Sequence, residues 1–262
     1  MSNNAQIKKK IMSGEPVLGC FVGFYAPTIV ELLGNAGFDF IVLDNEHGWF
    51  NPAEVENMIR AAENAGMDTI VRIDYDISSI QKVLDRGASG IQVPMVNNKE
   101  DAERVILRAK FPPFGQRGAA YSARSAGYGK ESGLAYLDAC DRDSLIAVHI
   151  ETPEAVKNFE EIMSVPGIDV AFIGPVDLAV NMGYKEEGPK HPEVVKTIHD
   201  LYARAKKLGV PIGSVVGNAA GVHPAMESGA TYVVAVITSV LSSTFADLVK
   251  AKKSCKTENS KL

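Results

Sequence analysis

Cysteine is scarce in this 262-residue chain. There are three, Cys20, Cys140 and Cys255, odd in number and far apart. No C-x-x-C pairing exists, which excludes a disulfide framework and a cysteine-rich zinc site and suits a reducing compartment. Basic blocks are nearly absent too. Only "KKK" near the start and "KAKK" near the end stand out, on a chain of net charge −5 and pI near 5.6. Nucleic acid is not the expected partner, because phosphate binding needs a concentrated basic surface. No apolar run reaches the roughly 18 residues of a membrane span. The opening "MSNNAQIKKKIMSGEP" lacks the apolar core of a signal peptide. These absences predict a cytoplasmic protein. Ser260-Lys261-Leu262 leaves a peroxisomal alternative, because that tripeptide is an address wherever a peroxisomal receptor reads it. In a bacterium it has no such meaning.

Apolar residues are plentiful, at 46%. They fall into short β-rich runs at 17–22, 40–44, 69–73, 91–95, 145–150, 170–174, 212–216 and 232–237. The runs are continuous rather than alternating, the pattern of strands buried on both faces of a parallel sheet. Helical stretches separate them. "TIVELLGNAG" closes on a capping Gly. "NPAEVENMIRAAENAG" opens with an Asn cap and a Pro at the first helical position. "HPEVVKTIHDLYARAKKLG" carries an early Pro and a terminal Gly. This alternation predicts an α/β fold, a single-domain (β/α)8 TIM barrel over residues 1–252, followed by a polar, flexible tail at 253–262. A doubly wound open sheet is the alternative, but no G-x-G-x-x-G follows the first strand. One gap breaks the rhythm. Roughly fifty residues separate the fourth and fifth strands, too many for a plain connection. They hold a helix near 98–109 and then "FPPFGQRGAAYSARSAGYG" at 111–129, too rich in Pro and Gly for regular structure. This insert is expected to serve function or an interface.

In such barrels the reactive groups sit at the C-terminal ends of the strands. Strand 2 ends in Asp44, Asn45, Glu46 and His47; strand 3 in Arg72; strand 5 in His149 and Glu151; strand 6 runs into "GPVDL" with Asp177. Glu151 and Asp177, on neighbouring strands, suit a hard divalent cation that keeps several waters. The plainer alternative makes each the N-cap of its helix. Arg72 offers a rigid fork to a carboxylate or enolate oxygen, or a salt bridge to Asp44 or Glu46. His47 can transfer a proton, as an imidazole does near neutral pH, or it can be a satisfied hydrogen-bonding histidine. The backbone N–H groups of "GPVDL" suit an anionic carboxylate. No Lys stands at a strand end, which argues against a Schiff-base aldolase. Asp85 lies near the end of the helix after strand 3, and such a helix returns to the bottom face. It is either an ordinary exposed aspartate or a residue that serves a neighbouring subunit. Arg117 and Arg124 of the insert begin at the same face.

In order, "LDNEHGWF", "VRID", "QVPMV", "FPPFGQRGAA", "HIET", "FIGPVDLAVNMGY" and "HPEV" resemble the HpcH/HpaI aldolases, over about residues 5–250. These are class II pyruvate aldolases of the phosphoenolpyruvate/pyruvate barrel superfamily. The resemblance implies a lyase that cleaves or forms 4-hydroxy-2-oxo acids, giving pyruvate and an aldehyde through a pyruvate enolate. It implies Mg²⁺ or Mn²⁺, with Co²⁺ as a further option, held by Glu151 and Asp177 and chelated by pyruvate. Arg72 would hold the keto oxygen. Gly174, Val176 and Asp177 would receive the carboxylate through backbone. His47 would be the base, paired with Asp85 of an adjacent subunit, with Asp44 and Glu46 in support. The assembly implied is a hexamer, a dimer of trimers, often with C-terminal helices exchanged. Two positions depart from the pattern. Asn45 stands where Gly or Thr is usual. His149 stands where Gln is common, placing it as a further contact of the carboxylate or as a metal ligand. Related readings are a citrate-synthase-like condensation, a decarboxylase of 2-oxo acids and a non-catalytic 2-oxo-acid-binding barrel.

Overall fold

The computed structural model of the protein describes residues 6–258. Eight parallel strands close into one barrel in chain order. They are β1 (Val17–Val22), β2 (Phe40–Asp44), β3 (Asp68–Arg72), β4 (Gly90–Val93), β5 (Leu145–Ile150), β6 (Val170–Ile173), β7 (Ile212–Val216) and β8 (Tyr232–Val236). Helices cover the outside: α2 (Pro27–Asn35), α3 (Pro52–Asn64), α4 (Ser79–Asp85), α5 (Lys99–Ala109), α6 (Gly133–Asp143), α7 (Pro153–Lys157), α8 (Phe159–Met163), α9 (Pro175–Asn181), α10 (Pro192–Leu208), α11 (Val222–Glu227) and α12 (Ile237–Glu258). A short helix, α1 (Gln6–Met12), precedes β1.

Side chains of a strand alternate between its faces, which explains the unbroken apolar runs. On β2, Ile41 and Leu43 pack outward among the helices, while Phe40 and Val42 fill the barrel interior. The interior is crowded because large rings face small partners. A Cβ on Gly19 would stand 2.3 Å from the Phe40 ring, and one on Gly213 would stand 2.6 Å from Phe172. Phe40, Phe172 and Tyr232 occupy the space so released, with ring centroids 4.7 Å apart for Phe40–Tyr232 and 5.9 Å for Phe172–Tyr232.

Helix α1 plugs the bottom of the barrel. Ile7 and Ile11, four residues apart on one helical face, are buried against the inner core. Ile7 donates its backbone N–H to Asp68 (3.0 Å), and Lys8 pairs with Asp169 (2.9 Å). Lys10 pairs with Asp39 (2.7 Å).

The helix signals hold where they were strongest. Asn51 makes a full capping box with Glu54 ahead of Pro52, and α10 ends on left-handed Gly209 (φ +67°). Strand ends differ from the sequence reading for local reasons. β4 stops at Val93 because Pro94 has no N–H for the ladder and Met95 turns to φ +57°. Gly174 and Ile237 belong to helix starts rather than to strands. The insert is irregular over 111–123 and then forms a 3-10 turn at Arg124–Gly129. Helix α6 follows it and was not foreseen; none of its residues is buried. Helix α12 runs on through the 252/253 boundary drawn from sequence to Glu258. The Ser260-Lys261-Leu262 tripeptide lies outside the described residues. Among the described residues, no helix is long and apolar enough to cross a membrane.

Candidate active site

The loop after β2 is built by Asp44. Its Oδ1 accepts the backbone N–H groups of Glu46 (3.2 Å) and His47 (3.1 Å), an Asx-type turn that folds the chain back at the strand's end. Gly48 completes the turn, since a Cβ there would meet the Asp44 carbonyl at 2.1 Å. The turn lifts His47 to the mouth, where its side chain is 61% exposed and 3.8 Å from Glu46.

Arg72 comes from the neighbouring strand, in register with Asp44. Its Nε and Nη2 bind the two Asp44 oxygens at 2.9 and 2.6 Å, and Nη1 lies 2.9 Å from Glu46. The guanidinium stacks over Phe21, 4.9 Å from the ring centroid. Both carboxylates suggested as salt-bridge partners therefore engage it. Three of the five guanidinium N–H bonds are taken, leaving two for another ligand. Burial opposes ionisation of Asp44. Arg72 and the His47 N–H outweigh it and hold the carboxyl below its ordinary value of 3.8.

Glu151 is 3% exposed. It is not a helix cap: Thr152 caps α7 through its hydroxyl. The Glu151 oxygens instead accept from the backbone N–H of Met95 (2.8 Å) and from His149 Nδ1 (2.7 Å). Burial again opposes ionisation, and His149, Met95 and Arg72 together bring the pKa below 4.5. The carboxylate packs directly against Gly174, where a Cβ would stand 2.6 Å from Oε2. Asp177 likewise is not the cap of α9. That position is Gly174, which makes Asp177 the third residue of the helix. Pro175 has no N–H, and the first-turn N–H groups of Val176 and Asp177 have no partner within the helix. Asn181 of α9 donates to the Glu151 carbonyl (3.0 Å), tying this helix to the end of β5.

The Tyr75 phenol, after β3, is raised by burial and by the charges of Glu46, Glu151 and Asp177. Glu151 and Asp177, at the ends of neighbouring strands, offer the donor chemistry of a site for a hard divalent cation that completes its shell with water and ligand oxygens. Among the described residues, no group of three or more His, Cys, Asp and Glu side chains is gathered as a closed metal cage.

Two foreseen residues sit differently from the rest. His149 is 1% exposed, and its ring nitrogens face Gln92 and Glu151, so neither opens toward a bound ligand. Asp85 ends α4 at the opposite face of the barrel, bound to Arg117 of the insert (2.7 Å), and forms no dyad with His47 of its own chain. A cavity of about 230 Å³ lies at that face, lined by Arg117, Arg124, Tyr136 and Cys140. It contains none of the strand-end groups. Gln92, Met95, Tyr75 and Tyr232 escaped the sequence reading. Gln92 left a signal, a polar residue inside the buried run "IQVPM".

Residues 17–241 match the HpcH/HpaI aldolase/citrate lyase family. A hydroxypyruvate/pyruvate aldolase of Sagittula stellata is 33% identical over 242 residues, 92% of this chain and 94% of that protein. A 4-hydroxy-2-oxo-heptane-1,7-dioate aldolase of Klebsiella pneumoniae is 32% identical over 252 residues, 95% of this chain and 94% of the relative. The crystal structure of an HpcH/HpaI aldolase from Desulfitobacterium hafniense superposes with a TM-score of 0.86 at 31% identity, covering 94% of this chain and 96% of that one. With its closed barrel and strand-end carboxylates, this chain belongs to the HpcH/HpaI aldolase/citrate lyase family.

Proposed function

We propose that the chain is a divalent-metal-dependent carbon–carbon lyase that cleaves 4-hydroxy-2-oxo acids to pyruvate and an aldehyde, or joins them. The observation that carries this reading is Glu151, a buried carboxylate at the end of β5, bound by His149 and the Met95 N–H and packed against Gly174. Its named relatives are aldolases over nearly their whole length, which supports the same reaction class.

Glu151 and Asp177 hold the cation, Mg²⁺ or Mn²⁺. When bound, it supplies Lewis-acid polarisation of the substrate keto group. The remaining work falls to the chain's own groups. Arg72, fixed by Asp44 and Glu46, points its two free N–H bonds at the keto oxygen and stabilises the enolate as it forms. The N–H groups of Val176 and Asp177, next to Gly174, receive the substrate carboxylate. His47 takes the proton from the C4 hydroxyl, the C3–C4 bond breaks and the aldehyde leaves. Protonation of the enolate carbon gives pyruvate.

Assembly belongs to the same reading. Asp85 reaches a His47 only across a subunit boundary, in a hexamer built as a dimer of trimers. Helix α12 supports such packing, with Phe245, Leu248 and Val249 exposed on one side at helical spacing. An exchanged α12 would bury them. A cytoplasmic location fits the reducing compartment expected for this chain.

The deciding experiment is pyruvate release from a panel of 4-hydroxy-2-oxo acids with Mg²⁺ or Mn²⁺, before and after EDTA. Metal-restored cleavage is expected. Absence of EDTA-sensitive cleavage across the panel overturns the proposal.

A further inference from the structure

A line of hydrogen bonds crosses the barrel interior beneath the site. Tyr232, on β8, lies 3.0 Å from Gln92 Oε1 on β4. Gln92 Nε2 lies 2.7 Å from His149 Nε2 on β5. His149 Nδ1 lies 2.7 Å from Glu151 Oε2. All four side chains are almost completely buried. None of Tyr232, Gln92 and His149 touches the mouth, and the reaction described above uses none of them.

The direction of the line follows from its last member. An ionised carboxylate only accepts, so His149 Nδ1 carries the hydrogen. In a neutral imidazole Nε2 is then the acceptor, so Gln92 presents its NH₂ group. Its carbonyl oxygen then faces Tyr232, whose single proton points toward it. Each donor thus aims at the carboxylate. The reverse order needs both ring nitrogens of His149 to donate, whereas the order given sets one donor against one acceptor at every step.

The other Glu151 oxygen is held independently, by the N–H of Met95. Met95 is a non-glycine residue in left-handed backbone (φ +57°), a conformation that persists only where the surroundings enforce it. Both oxygens are therefore pinned, each by one donor that leaves it a second lone pair. We propose that Tyr232, Gln92 and His149 form a one-way relay that fixes the Glu151 carboxylate for cation binding, with His149 as the positioning residue. This rests on the assignment of Glu151 as a metal ligand. It gives His149 a purely intramolecular role, neither substrate contact nor ligand.

The test has two arms, both on the full-length protein. Nitrogen-15 shifts of the histidine rings in metal-free protein should show one neutral imidazole with its proton on Nδ1, lost in His149→Leu. A proton on Nε2, or an imidazolium, overturns the relay. Direct Mn²⁺ titration without substrate reads the consequence. His149→Leu should weaken Mn²⁺ about tenfold or more, the range seen when a partner of a metal ligand is removed. His149→Asn, which keeps a donor at the δ position, should recover most of that loss. Tyr232→Phe, which preserves the ring, should cost a smaller factor and guards against a folding failure in His149→Leu. Unchanged affinity in both His149→Leu and Tyr232→Phe, or no recovery in His149→Asn, overturns the proposal. If the wild-type protein binds no Mn²⁺, the metal assignment fails, and the nitrogen shifts alone decide whether the relay exists.

Discussion

The two ends of this barrel both bury carboxylates, and they use them differently. At the bottom, Asp68 accepts from the Ile7 N–H and the Ser89 hydroxyl. Asp169 accepts from the Ile146 N–H and pairs with Lys8, and Asp39 takes the Leu18 N–H and Lys10. Each ties one segment of chain to another, and Asp39 and Asp68 also line a cavity of about 310 Å³. At the top, Asp44 and Glu151 are just as well partnered, but Arg72, clamped by Asp44 and Glu46, keeps two N–H bonds free. The electrostatics diverge too. Burial dominates at Asp68 and raises its pKa, because its direct partners are neutral donors. At Asp44 the Arg72 charge overrides burial and lowers it. A buried carboxylate alone is thus no mark of chemistry. Asp44 and Asp68 differ in whether a cation holds the carboxyl ionised.

The sharpest way to break this contrast is His47→Ala at the top. It should slow carbon–carbon cleavage by about 10²–10⁴-fold, the usual worth of a positioned base, while Mn²⁺ binding measured calorimetrically persists. Loss of Mn²⁺ binding would make His47 a ligand instead. At the bottom, Ile11→Ala should cost about 3 kcal/mol in chemical denaturation, with kcat per folded enzyme unchanged. A matching fall in kcat would mean that the plug communicates with the mouth. Arg72→Lys keeps a charge but loses the fork. It should reduce kcat/KM by roughly tenfold to a hundredfold, with most of the loss in kcat.

The smallest effect compares the ends by acid titration. The folded pKa of Asp44 is depressed, so its stabilisation is present above its unfolded value near 3.8 and is lost as pH falls through the folded pKa. Asp68 is raised, so its contribution grows as pH falls toward 3.8. The stability gap between wild type and Asp44→Asn should therefore narrow on acidification, and that for Asp68→Asn should widen. Parallel trends in denaturant midpoints would erase the distinction.

Much of this was legible in the sequence. All eight strands, the caps at Asn51 and Gly209 and the top-face set of His47, Arg72, Glu151 and Asp177 follow from local pattern. What stayed hidden depends on contacts across the barrel. Gln92 meets Tyr232 across 140 residues of chain, and only a closed sheet brings β4 to face β8. His149 stood out as a carboxylate contact or a metal ligand because it replaces a usual Gln. Strand alternation puts it on the inner side, 1% exposed, with its ring nitrogens on Gln92 and Glu151. The clamp on Arg72 was legible as a choice between Asp44 and Glu46, and the guanidinium takes both.

The plug also has a place in time. Helix α1 leaves the ribosome before nearly everything it binds. Lys8 reaches the carbonyl of Ser144, 136 residues later, and Ile7 waits for Asp68. At synthesis rates of about 5–20 residues per second, the helix spends several seconds with its apolar side uncovered. An element made ahead of its partners therefore docks after them, and the barrel floor is sealed only once the strands around it have emerged.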